Sequence, residues 1–137
     1  MSAASNYLEN KLLDHALGTT AYTKPTEVYL ALFNNTSGNA ATNLEAGTLT
    51  DETSDSGTAY DRKAATFTGA SSGVAPTAAT VQWSTATADW GTITHVAVMD
   101  AATGGNVLFW GQLTASKIVS TGDTFQVSAG NLSITLD

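Results

Sequence analysis

Short stretches of alternating apolar side chains, separated by runs of Gly, Ser, Thr and Ala, most strongly constrain the fold of this chain. In the clearest stretch, residues 27–33, both alternating sets are apolar, and one of them contains Tyr29 and Phe33. This strand is therefore predicted to lie in the centre of a sheet. Weaker stretches of the same kind follow at 60–67, 80–83, 92–99, 106–113, 118–119, 123–128 and 132–136.

About eight strands are predicted, and the chain is long enough for one domain over residues 1–137. Eight strands are too many for one open sheet of this mass to bury well. The expected fold is therefore mainly β, an antiparallel, jelly-roll-like β-sandwich with one short N-terminal helix. The strongest hairpin joins 92–99 to 106–113, because the glycines between these stretches permit the positive φ angles of a tight turn.

Only the N-terminal part of the chain has a helical period, and it predicts a helix over 6–17. Asn6 is the predicted N-cap, and Gly18 offers a left-handed stop. Leu12 and Leu13 are adjacent and point about 100° apart, so one narrow core stripe cannot cover both. We expect one of these two leucines to contact another subunit. The alternative is a helix that simply packs over one end of the β-core.

Residues 34–59 lose all periodicity and contain acidic residues but no basic ones, which predicts a long acidic surface loop. Compact domains seldom contain so long a connection unless it is functional, ordered by a partner, or mobile. Asp51, Glu52 and Asp55 are therefore predicted interface residues. Their oxygen atoms also suit calcium, but the spacing does not match an EF-hand loop, so solvated charge is the preferred interpretation.

Charge and composition narrow the classes of partner and chemistry. The net charge is −7, and the five basic residues are too few and too scattered to neutralise a phosphate backbone, so nucleic acid is not expected as a partner. The absence of Cys excludes disulfides and thiolate chemistry. With only two histidines in addition, neither a metal site nor another cofactor is expected. The sequence shows no secretory signal and no membrane span, so assembly in a host cytoplasm is expected.

Two arrangements of residues resemble functional sites. Ser71 lies in a Gly-x-Ser-x-Gly sequence, followed by Asp89 and His95 in hydrolase order, but a strand that turns into a helix beneath a large parallel sheet is not predicted there. The chain is therefore not expected to be an enzyme. The aromatic residues suit either core packing or sugar stacking, and core packing is preferred. Trp90, between Asp89 and Gly91, is the one expected at a sheet edge or interface.

The chain resembles the small β-sandwich proteins of tailed-bacteriophage particles, which are labelled either head decoration (cement) proteins or tail-fibre proteins. The order of helix, strand, variable acidic loop, Tyr-x-Arg strand and Trp-Gly-Thr hairpin supports the resemblance. The similar stretches are residues 7–15, 28–33, 60–62, 90–100, 105–113 and 132–136.

This resemblance implies a structural protein of the virion. The main expectation is a dimer or trimer on the capsid surface that binds and cements subunits of the major capsid protein. A chain without a fibrous repeat, collagen-like run or long heptad pattern favours this interpretation. The alternative is a tail-fibre or baseplate-associated protein whose loop tips contact a host surface polysaccharide.

Overall fold

In the computed structural model, which describes residues 2–136, the chain forms nine strands and two helices, and all paired strands are antiparallel. The mainly β prediction is therefore confirmed. The elements are β1 Ser2–Ala4, α1 Asn6–Ala16, β2 Val28–Phe33, α2 Ala40–Glu45, β3 Lys63–Ala65, β4 Val74–Pro76, β5 Val81–Gln82, β6 Gly91–Met99, β7 Val107–Val119, β8 Gln126–Val127 and β9 Ser133–Thr135.

The largest sheet has five strands in the order β1-β7-β6-β2-β3, while β4 pairs with β9 and β5 pairs with β8 in two small separate sheets. The predicted hairpin of residues 92–99 and 106–113 forms the β6–β7 pair, and β2 lies inside the sheet as predicted. Two strands were not predicted, β1 on the edge of the large sheet and β4, which lies between the predicted strands 60–67 and 80–83.

Both faces of the five-stranded sheet are buried, because alternating residues of β2 and β6 are apolar on both sides. Leu30 and Leu32 belong to one core cluster with Val96 and Val98, and Trp83 joins this cluster from beyond β5. The two small sheets and Leu8 of α1 contribute to it as well. The second layer on this face is therefore made of separate short pieces.

The opposite face of the sheet has a smaller core cluster, which is covered by α2. Ala31 and Phe33 of β2 lie there with Ala97 and Met99 of β6, and Leu44 of α2 is fully buried against them. Residues 34–59, predicted as a long surface loop, thus contain a helix and supply a core residue. The sequence did not predict this role, because a helix of six residues with two buried side chains shows no clear helical period.

Irregular pairing in the β6–β7 hairpin changes which side chains share a face. Ile93 pairs with Lys117 and His95 with Gln112, so one residue of β6 and four residues of β7 lie between consecutive pairs. As a result Ile93 joins the larger core cluster instead of lying on the face of His95 and Ala97. Strict alternation along 92–99 would place these three residues on one face, but the bulge reverses the alternation.

The N-terminal helix begins one residue after Ser5, whose side-chain oxygen accepts a hydrogen bond from Leu8 N at 3.3 Å. Ser5, and not Asn6, is the N-cap, and its hydroxyl also donates to Val107 O, which fastens the helix to β7. The helix ends at Ala16, close to the predicted end, and Gly18 has the expected positive φ of 77°.

Asp100 organises the turn between β6 and β7. Its carboxylate accepts hydrogen bonds from Asn106 N at 2.7 Å and from Asn106 Nδ2 at 2.8 Å. Gly104 and Gly105 both have positive φ, 59° and 70°, as this turn requires. A Cβ atom at Gly105 would lie 2.5 Å from Asp100 Oδ1 and 2.7 Å from Ala101 Cβ, whereas a Cβ at Gly104 would contact nothing.

These two glycines generate a matched stability prediction. Gly104→Ala is expected to lower the free energy of unfolding by about 1–2 kcal/mol, the usual cost of a left-handed backbone conformation for a residue with a Cβ. Gly105→Ala should cost clearly more, because the new methyl group also displaces Asp100. Urea unfolding of both variants measures the difference, and equal losses would show that the contact with Asp100 has no role.

Candidate functional site

Tyr60 and Arg62, the Tyr-x-Arg pair of the sequence, form a buried network with Glu52. Arg62 donates from Nε to Glu52 Oε1 and from Nη2 to Glu52 Oε2, both at 2.7 Å. Tyr60 donates its hydroxyl proton to Glu52 Oε1 at 3.1 Å and accepts a hydrogen bond from Leu32 N at 3.0 Å. Burial, together with the negative charge of Glu52, raises the pKa of Tyr60, so its hydroxyl stays a donor.

The same arginine fixes the β6–β7 turn. Arg62 Nη1 donates to Ala101 O at 2.9 Å and to Gly104 O at 2.6 Å. Its side chain is only 3% exposed, and the hydrogen bonds to Glu52 raise its pKa further. Arg62 therefore joins three separate parts of the chain: the acidic segment, strand β3 and the hairpin turn. This role is structural.

Asp51 and Glu52, both predicted at an interface, have side chains that are engaged within the molecule. Asp51 is 2% exposed and accepts hydrogen bonds from Ser37 N at 3.0 Å and from Thr36 Oγ1 at 3.3 Å. Burial opposes its ionisation, but the hydrogen bonds from Ser37 and Thr36 outweigh that effect and lower its pKa. Asp55 is the one residue of the predicted acidic group that is exposed.

Trp90, predicted at an edge or interface, lies in the core at 4% exposure. Its ring packs edge-on against Tyr60 with centroids 5.5 Å apart, and Nε1 donates to Thr58 O at 2.9 Å. The flanking Asp89 and Gly91 had indicated an edge, and they are indeed exposed, but the indole points inward. Of the other tryptophans, Trp83 is fully buried and Trp110 is half-buried.

The two leucines of α1 separate as their spacing predicts. Leu12 is half-buried against the larger core cluster, whereas Leu13 is 57% exposed. Leu17, which follows the helix and still donates its N–H to Leu13 O at 2.9 Å, is 75% exposed. Glu9, Leu13 and Leu17, each four residues apart, form an exposed row that we call the α1 ridge. Leu17 was not predicted as part of an exposed surface, although its spacing of four residues from Leu13 indicates that the two side chains lie on the same side of the helix.

A second apolar surface lies along the distal half of β7, where residues 113–116 bow away from β6. Here a groove of about 640 Å³ opens between β7 and the segment of β8. Ile118, at 73% exposure, lies on its rim beside Lys117. We call this surface the β7 groove and define its apolar lining as Leu113, Ile118, Phe125, Val127 and Leu132.

Ser71, Asp89 and His95 each have separate partners. Ser71 lies in a turn and bridges Val74, and Asp89 accepts hydrogen bonds from Thr121. His95 is buried, with its Nδ1 2.8 Å from Thr94 Oγ1. No side-chain hydrogen bond joins the three residues in the part of the chain that the structure describes.

Residues 2–136 contain no group of three or more His, Asp or Glu side chains placed to hold a metal ion. Within the same range, neither helix is long and apolar enough to cross a membrane. The α1 ridge and the β7 groove contain three of the large apolar side chains that are exposed within this range, Leu13, Leu17 and Ile118.

Fold and surfaces together define a small, mainly β structural module whose polar networks stabilise the core and whose exposed apolar patches suit contacts with other chains. The chain matches the family described as Podophage GP4 fiber I protein gp80 over residues 3–135, and it belongs to that family. No curated protein matches it.

Family membership confirms the coarser part of the resemblance, a phage structural protein associated with the virion. The family description names a fibre protein, so it favours the tail alternative over capsid cementing.

The Arg62 network generates a stability prediction with a control from the neighbouring residue. Arg62→Ala is expected to lower the free energy of unfolding by about 3 kcal/mol or more, because Glu52 and two carbonyl groups lose their partner in a buried site. Lys63→Ala removes the ion pair with Asp61, whose side chain is 62% exposed, and should cost at most about 1 kcal/mol. Chemical denaturation measures both, and equal losses would contradict a structural role for Arg62.

His95 generates a prediction about pH. Burial lowers the pKa of His95 in the folded chain, and the smaller effect of Asp51 opposes this shift. The unfolded chain therefore takes up this proton first, so stability should fall as the pH drops below about 6.5 towards the folded pKa. Denaturation between pH 5 and 8 measures the slope. His95→Gln should flatten it, and a slope that is the same in His95→Gln as in the parent chain would contradict this assignment.

Proposed function

We propose that this protein is a structural component of the fibre apparatus of a podophage virion and that it works by binding other virion proteins. Membership of the fibre I protein family across residues 3–135 is the observation that carries this proposal. The match spans almost the whole chain, so it includes both helices and every layer of the fold.

The geometry supports a binding role without catalysis. The buried ionisable side chains that have polar partners, such as Arg62 and Asp51, use them to fasten one segment of the fold to another. The exposed apolar side chains, in contrast, have no role in the core of a single copy. Self-association as a dimer or trimer is part of this proposal, and the α1 ridge and the β7 groove are the surfaces that would support it.

The β-sandwich expected of the resemblance is also part of the proposal. The two small sheets and α1 share one core with a face of the five-stranded sheet, which supports a sandwich with a fragmented second layer. Contact with a host polysaccharide remains part of the fibre proposal as well. With Asp51 and Trp90 buried, such a contact rests on Asp55 and the exposed turn around it.

Capsid decoration, with the major capsid protein as partner, is the second candidate function. One observation favours it: residues 2–136 pack around short strands and show no repeated shaft, triple-helical run or long coiled coil. A compact body of this kind needs only a footprint of about 800 Å² per partner to bind a shell stably.

Location and copy number on purified particles distinguish the two candidates. We expect gold-labelled antibodies against this chain to mark the tail, and quantitative gel densitometry to find few copies relative to the major capsid protein. Label over the whole shell and a copy number close to that of the capsid protein would replace the fibre assignment with capsid decoration. Absence from purified particles would overturn both.

A further inference from the structure

The α1 ridge bears exposed apolar side chains, and the β7 groove offers an apolar lining for side chains of this kind. Leu13 and Leu17 project four residues apart from one side of a helix, which is the arrangement that anchors an amphipathic helix in an apolar groove. The β7 groove is apolar along much of its lining, and its volume of about 640 Å³ lies within the usual range for binding clefts. A helix ridge and a groove are therefore exposed on the same molecule.

The charges beside the two surfaces are also complementary. The α1 ridge begins at Glu9, and Asp14 follows Leu13 on the exposed side of the helix. Lys11, the basic residue of this helix, lies over the ring of Tyr7 at 5.7 Å. In the β7 groove, Lys117 lies next to Ile118, whereas Asp123 accepts a hydrogen bond from Ser120 N at 2.9 Å. The α1 ridge thus bears acidic side chains, and the exposed rim of the β7 groove bears a lysine.

The two surfaces belong to different parts of one chain, and none of the residues that line the β7 groove comes from α1. A single copy therefore has its ridge and its groove free at the same time. A second copy of the chain itself carries what such a groove would accept, two exposed leucines four residues apart with acidic neighbours. A contact between two different surfaces of identical chains is heterologous, and it builds a ring or an open row of subunits.

We propose that the α1 ridge of one copy docks in the β7 groove of the next copy, so that the subunits associate head to tail. Leu13 and Leu17 enter the groove beside Ile118, and Glu9 or Asp14 approaches Lys117. This contact deepens the proposed function because it names the self-association surface, but it does not depend on where in the virion the protein is located.

Two variants, each with one defective surface, test the proposal. Leu13→Asp places a charge on the ridge, and Ile118→Asp places one in the groove, while both positions are exposed enough for the fold to be kept. The parent chain is expected to form concentration-dependent oligomers in sedimentation velocity and light scattering. Each variant alone is expected to associate at least tenfold more weakly.

Mixing the two variants is the decisive step. The Ile118→Asp chain keeps an intact ridge and the Leu13→Asp chain keeps an intact groove, so the mixture should form a one-to-one pair and stop there. A mixture that stays monomeric overturns the proposal. So does a parent chain that is monomeric at every concentration, or a single variant that associates like the parent, because a symmetric ridge-to-ridge or groove-to-groove contact would leave one variant unaffected.

Controls separate folding from association. Ala79→Asp adds the same charge at an exposed position that belongs neither to the α1 ridge nor to the lining of the β7 groove, and it should associate like the parent. Circular dichroism checks the fold. If an aspartate variant unfolds, the serine variant at the same position, Leu13→Ser or Ile118→Ser, takes its place.

A charge reversal gives a second test: Lys117→Glu should weaken association, and Glu9→Lys in the same chain should restore it. Because these measurements use purified protein, they can fail while antibody labelling still places the protein in the fibre, and the reverse also holds.

Discussion

The burial of both faces of the five-stranded sheet is the constraint on which the rest of this structure depends. Ala31 and Phe33 are as fully buried as Leu30 and Leu32 on the opposite side of β2. A sheet that is apolar on both faces needs a covering layer on each side. In this structure each covering layer is assembled from short pieces: α2 on one face, and α1 with the two small sheets on the other.

On one face of the sheet, the acidic segment of residues 34–59 forms the covering layer. This explains why its carboxylates Asp51 and Glu52 have partners within the molecule. Leu44 of α2 enters the core, while Asp51 and Glu52 bond to side chains nearby and keep the segment against the sheet. A buried ion pair contributes little net stability once the desolvation of both charges is included. The main effect of the Glu52–Arg62 ion pair is therefore to fix the positions of the acidic segment and of the β6–β7 turn.

Sequence patterns predicted the elements whose side chains alternate over many residues and missed those that depend on distant partners. The helix, β2 and the β6–β7 hairpin were predicted because each contains its own periodic signal. Strands β1 and β4 have three residues each and are defined only by their partners β7 and β9. The bulge between Ile93 and His95 likewise has no local signature, and it reversed the predicted face of Ile93.

The candidate surfaces follow the same rule. The separation of Leu12 from Leu13 was predictable, because helical geometry alone forces adjacent side chains apart. The inward position of Trp90 was not, since it depends on Thr58 and Tyr60, which are about thirty residues away in the chain. The same holds for Glu52, which the acidic composition of its segment assigned to solvent and which Arg62, ten residues later, holds inside the molecule.

On the other face of the sheet, the covering layer consists of two small sheets and one helix, and their separation leaves the β7 groove open. Strand β1 pairs with β7 only at residues 109–111, so among the described residues no strand pairs with the distal half of β7 on that side. In the head-to-tail contact that we propose, a neighbouring subunit would supply the missing apolar contacts. An incomplete second layer leaves apolar side chains such as Ile118 exposed in a single copy of the chain. The proposed association would bury them, so the gap in the second layer would itself provide the surface for assembly.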